Sequence, residues 1–227
     1  MQKELTKLVP AWYGGADLSK LHDLTAGVIV GEIPTAKAAT ADWTPPEDVL
    51  VIVPHCWFPV TAAITKAQED KIPLFGWMDD GWLDMPNTPS MNPTEPVKQF
   101  VKWRKEGFHI KKVGHDRKFA RTYVSAMKKA HFTVVDQPQL AVVKSEGFRY
   151  IEHKAKVGCL YYCHAEPFLY CVGNVKATKD DEIVIYEKVE DNKRIDVFDA
   201  AVFATIRFCI DTEKITNAAA WLGEDDD

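Results

Sequence analysis

Four aspartates at distant points in the chain are the residues whose type and placement point most directly to chemistry. Asp17 closes the stretch "AWYGGAD", Asp116 closes "FHIKKVGHD", and Asp196 and Asp199 open "DVFDAAVFATIRFC". Carboxylates are hard oxygen ligands, suited to Mg2+ or Mn2+ rather than to zinc or copper. Three or four of them gathered together cannot all stay ionised unless a cation neutralises them. Two such ions ~3.5–4 Å apart clamp a phosphodiester, one activating the attacking water and the other steadying the leaving oxygen. Asp17 reads as a direct ligand and Asp23 as an outer partner. Taken singly, each acid has an ordinary use, as a turn or cap residue or as a complement to a helix dipole. The metal expectation therefore depends on the fold bringing them together.

The elements that would do so can be read from the hydrophobic pattern. A strand over 11–18, the turn "SKLH" and a strand over 24–32 form an opening hairpin that carries Asp17 and Asp23. Residues 33–48 read as a loop, "VLVIVPHCWF" (49–58) as a buried strand, and the stretch after Pro59 as a helix. Residues 72–96, rich in Pro, Gly, Trp and Asp, read as irregular, and a helix near 94–106 ends at Gly107. "FHIKKVGHD", "RKFARTYVSAMKKA" and "FTVVDQ" then make a β-α-β unit. Its first strand ends in Asp116, the end where open α/β sheets hold their ligands. Helices over 146–157 and 165–174, a strand "EIVIYEK" and an apolar terminal helix complete an α/β mixed sheet flanked by helices.

The 227 residues read as one domain, with its core over about 11–212 and an acidic tail at 223–227. A formal net charge of -5 announces no general attraction to nucleic acid, although acids gathered around metal also lower the total. No apolar run approaches the ~20 residues of a membrane helix, and no membrane partner is expected. The five cysteines form an odd set with no secretory leader ahead of them, so a reducing compartment is expected. In "CLYYCHAEPFLYC" the spacing and aromatic filling favour buried thiols over zinc. Trp77 and Trp82 read as core or loop anchors before base-stacking platforms.

The chain resembles the C-terminal nuclease domain of the large terminase subunit of tailed bacteriophages, a ribonuclease H-like fold. The resemblance is carried by "ADLSKLHDLTAGVIV", "HCWFPVTAAITKAQEDKIPLFGWMDDGWL", "IKKVGHDRKFA", "VVDQPQ", "EPFLYCVGNVKA" and "KRIDVFDAAVFA", in that order. It implies a DNA endonuclease that cuts concatemeric double-stranded DNA with Mg2+ or Mn2+ held by Asp17, Asp116 and Asp196. In other branches of the family the last acid stands one turn later, where this chain has Asp199, so both remain candidates. His115, beside Asp116, becomes a supporting candidate. The resemblance also implies the terminase ATPase domain, the small terminase subunit and the portal as partners, in the host cytoplasm. No phosphate-binding loop ending in Gly-Lys-Ser/Thr is present, so ATP hydrolysis is not expected of these residues.

Basic residues near the acids are the expected DNA contacts: Arg117, Lys118 and Arg121 after Asp116, and Lys188 and Arg194 before the last helix. Such contacts add salt dependence without sequence choice. Two other functions fit the same residues. One is a ribonuclease H-like resolvase or transposase-type nuclease, and the other a non-catalytic DNA or portal docking module.

Overall fold

The computed structural model describes residues 2–19, 24–116, 120–180 and 183–214. In chain order the elements are α1 (Gln2–Leu8), β1 (Trp12–Asp17), β2 (Thr25–Ile33), α2 (Thr35–Ala38), β3 (Val49–Trp57) and α3 (Val60–Glu69). They continue with α4 (Leu74–Asp79), β4 (Leu83–Asp84), α5 (Glu95–Lys105), β5 (Ile110–His115), α6 (Arg121–Lys129) and β6 (Val134–Asp136). The last are α7 (Ala141–Lys156), β7 (Leu160–Tyr161), α8 (Glu166–Gly173), β8 (Val175–Asp180), β9 (Ile183–Lys188) and α9 (Asp196–Asp211).

A mixed sheet runs in the order β4-β3-β2-β1-β5-β6, with β7 pairing to β3 off that path. β1 is central: it pairs antiparallel with β2 and parallel with β5, and β6 extends the parallel half. The middle strands are buried along their whole length, which is why they read as unbroken Val/Ile runs. Alternation still decides the destination of each side chain. Tyr13, Val28, Val30, Leu50 and Ile52 enter one core with α7, α8 and α9. Trp12, Ile29, Val51, Val53 and Val113 enter the other with α5 and α6. Together these features are the ribonuclease H-like arrangement.

α9 is mostly apolar and almost wholly buried, as expected of a helix packed inside a domain, with Asp196 and Arg207 as its buried charged residues. α5 stops at Gly107, whose φ of +100° is open to glycine at little cost.

The differences from the pattern reading are local. The loop at 33–48 contains α2, and the irregular stretch at 72–96 contains α4 and β4. α7 begins at Ala141 rather than near 146. α1, β7 and β8 have no counterpart in the pattern reading, and β8 pairs with β9 to form a separate hairpin. Asp23, Arg117, Lys118 and the tail at 223–227 lie outside the described residues.

Candidate metal centre

Asp17 and Asp116 owe their proximity to strand register. β1 and β5 run parallel with Ala16 opposite His115, so the two aspartates follow directly at the carboxyl ends of neighbouring strands. Such strands lie ~4.8 Å apart.

The third contribution comes from α9, whose first turn holds Asp196 and Asp199. Gly15 sets how closely this helix approaches β1. A Cβ at Gly15 would stand 1.9 Å from the Ala200 carbonyl oxygen and 2.6 Å from the Ala204 nitrogen. Only glycine lets backbone meet backbone there, and that contact carries the helix start against the end of β1.

The electrostatics record the convergence. Burial, then the negative charges of Asp196 and Asp199, and more weakly Asp116, push the Asp17 carboxyl well above the usual carboxylate range. Lys144 opposes that shift. Charges from two other parts of the chain therefore reach Asp17. Asp196 is buried, and Asp17, Asp116 and Asp199 are half-buried.

An all-oxygen donor set whose members repel one another suits a hard divalent cation. The donors are not already closed around one point: among the described residues no group of three or more His, Cys, Asp or Glu side chains is poised to hold a metal ion. One reason is visible at Asp199. Its Oδ1 accepts a hydrogen bond from the Tyr186 hydroxyl and lies 2.8 Å from the Lys144 Nζ. The chemistry of the set suits a hard metal ion.

The remaining predicted residues divide. His115 is buried, with Nδ1 3.0 Å from the Asp116 carbonyl oxygen and Nε2 3.3 Å from the Asp136 Oδ1. It is held between the Asp116 backbone and the Asp136 carboxylate and does not face outward toward phosphate. Arg121 is exposed at the start of α6, and Lys188 is half-buried at the end of β9. Arg194 departs from expectation. It is buried, and its Nη2 lies 3.0 Å from the Asp70 Oδ2, so its charge is held inside the protein rather than offered to DNA. All five cysteines are buried free thiols. Trp77 is buried in the core, edge-on to Tyr170.

Sequence reasoning missed Lys144, Tyr186 and Asp136. Asp136 ends β6 in register with His115, so it lies on the same carboxyl edge of the sheet. A strand-end signal was available for it in "FTVVDQ". Lys144 and Tyr186 carry no such signal, since each reaches the acids only through packing.

No protein-family model and no curated protein sequence matches the chain. Solved structures do. The HK97 bacteriophage large terminase superposes with a TM-score of 0.72 at 20% identity, over 91% of this chain and 43% of that one. The chain thus spans less than half the length of that protein. The large terminase nuclease from thermophilic phage G20c superposes with a TM-score of 0.52 at 9% identity, over 86% of this chain and 80% of that one. The same nuclease with bound magnesium gives 0.51 over the same shares. The chain shares its fold with the nucleases of phage large terminases.

Proposed function

We propose that this chain is a divalent-metal-dependent DNA endonuclease of the large-terminase type, cutting double-stranded DNA during viral genome packaging. The observation that carries the reading is the placement of Asp17 and Asp116 after the paired ends of β1 and β5, beside an α9 whose first turn holds Asp196 and Asp199 and whose backbone packs on Gly15. The shared fold with large-terminase nucleases, one of them solved with bound magnesium, supports it.

In this reading Asp17, Asp116 and Asp196 hold Mg2+ or Mn2+, with Asp199 beside them. Two ions, when bound, would supply a water nucleophile and stabilise the charge developing on the leaving oxygen. The carboxylates at the strand and helix ends would hold those ions. His115 steadies the Asp116 backbone. Arg121 and Lys188, with Arg117 and Lys118, meet the flanking phosphates. The terminase motor, the small subunit and the portal are the partners of the assembly, in the host cytoplasm.

The test is supercoiled plasmid incubated with Mn2+, Mg2+ or EDTA. Nicking and linearisation with Mn2+, abolished by EDTA and reduced at least ~100-fold by Asp17→Asn or Asp116→Asn, is the expected result. Intact plasmid with either metal would refute the catalytic assignment. Cutting that survives both substitutions would place the chemistry elsewhere. The docking-module reading has one observation in its favour, the existing engagement of Asp199 by Lys144 and Tyr186.

A further inference from the structure

Lys144 reaches the acids from α7, an element that supplies none of them. Its Nζ lies 2.8 Å from the Asp199 Oδ1, with both side chains about one-sixth exposed, at 16% and 15%. The ammonium stands over the Tyr186 ring, 4.5 Å from its centroid, and 5.7 Å from that of Phe203. Tyr186 is itself held, stacked on Phe148 and met edge-on by Phe198.

Two backbone contacts fix the frame around this lysine. The Val184 N–H donates to the Ser145 Oγ at 2.8 Å, tying β9 to α7. At Gly147 a Cβ would lie 2.9 Å from the Val202 carbonyl oxygen, so α7 crosses α9 at close range. A surface lysine samples many rotamers. This one is confined by two rings and a helix crossing, with its charge set against a carboxylate of the acidic cluster.

We infer that Lys144 is the built-in counter-cation of the acidic centre, neutralising Asp199 in the metal-free protein and competing with a divalent ion for the same oxygen. The inference rests on the reading of these carboxylates as ion ligands. Several acids crowded into a partly buried site destabilise the fold unless positive charge is near. Lys144 supplies one such charge whether or not an ion is bound, and its electrostatic effect extends to Asp17. It also borders a cavity of about 190 Å3, lined with Gln139, Ala141, Val184, Ile185 and Tyr186, which offers it a place when displaced.

A counter-cation makes a prediction of sign that a purely structural ion pair does not. Removing the charge lowers the stability of the metal-free protein and strengthens metal binding, because an ammonium and a divalent ion a few ångströms apart repel each other. Even with water-like screening that repulsion corresponds to roughly a tenfold change in Kd. Tyr186 offers the contrast. Tyr186→Phe removes a donor to the same oxygen without changing charge, and loss of such an orienting bond weakens metal binding by roughly tenfold.

The experiment is calorimetric titration of the full chain with Mn2+, beside thermal unfolding with EDTA and with excess Mn2+. Lys144→Met and Lys144→Gln should unfold at lower temperature in EDTA, bind Mn2+ roughly tenfold more tightly than wild type, and gain more from the ion. Lys144→Arg, which keeps the charge, should stay near wild type on both measures. A neutral variant that is unfolded in EDTA but folds with Mn2+ also supports the inference, and one that Mn2+ does not recover refutes it. Neutral variants that bind Mn2+ no more tightly than wild type overturn the counter-cation role alone. A wild-type protein that takes up neither Mn2+ nor Mg2+ brings down the metal reading, and this inference with it.

Discussion

The substitution Gly15→Ala isolates the step that brings the acids together. The added methyl carbon would sit 1.9 Å from the Ala200 oxygen and 2.6 Å from the Ala204 nitrogen. Ordinary contact begins near 3.4 Å, so α9 must retreat by about 1.5 Å or β1 must bend. Neither partner is a side chain that can turn aside. Overpacking of this kind costs about 3 kcal/mol, which for a chain of this size lowers Tm by roughly 6–12 °C. The same retreat draws Asp196 and Asp199 away from Asp17, and misplacement by ~1 Å at a reacting centre can cost about 100-fold in rate. Gly14→Ala is the comparison, because its Cβ would meet the side chains of Phe100 and Val113 at 2.7 and 2.8 Å on the opposite face. It should lose stability without the selective loss of Mn2+ affinity. The assays are thermal unfolding, calorimetric Mn2+ binding and plasmid nicking. Gly15→Ala protein with wild-type Mn2+ affinity, or with both glycine variants equally impaired in binding, would refute the claim that this contact sets the separation of the carboxylates.

Two further outcomes follow from an ion pair and a hydrogen-bonded carboxylate. Arg194→Met leaves Asp70 buried with only the more distant Lys66, 3.8 Å away, and should cost about 3 kcal/mol in a urea unfolding series; an unchanged unfolding midpoint with a shallower salt dependence of DNA binding would instead restore Arg194 as a phosphate contact. The Thr35 N–H donates to the Asp48 Oδ1 at 2.8 Å and holds that carboxyl below the usual range, so its stabilisation is present above the unfolded value of about 3.9 and is lost as pH falls through the folded value. Asp48→Asn should therefore lower stability at neutral pH and flatten the decline below about pH 4, and parallel pH profiles for variant and wild type would count against it.

What could be read from the sequence follows the range of the interactions involved. Asp17 and Asp116 stood out because each ends a strand of strong β character, and strand ends are where the sheet register places neighbours together. Asp196 and Asp199 stood out because they open a sixteen-residue helix whose other charges are Arg207 and Asp211 alone. α4 and β4 were hidden in a segment of Pro and Gly because their stability comes from tertiary packing, as at Trp77 against Tyr170. Arg194 looked like a surface cation because its neighbours Lys193 and Asn192 are polar, while its partner lies 124 positions earlier. Lys144 and Tyr186 were invisible for the same reason: each meets Asp199 only after α7 and the β8–β9 hairpin have packed on α9.

The position of the acids also has an energetic logic. Carboxylates crowded beside an apolar helix should weaken the fold, yet the positive end of the α9 dipole favours negative charge at Asp196 and Asp199 in its first turn. That stabilisation falls away within the first turn, so it does little for Asp17 at the end of β1. Asp17 is the carboxyl that burial, and then the charges of Asp196 and Asp199, push upward. A divalent ion held by these acids would offset the repulsion of Asp17 by Asp196 and Asp199. Metal binding and a rise in thermal stability should consequently be inseparable in this chain, and Mn2+ that binds at these acids without raising Tm would contradict that coupling.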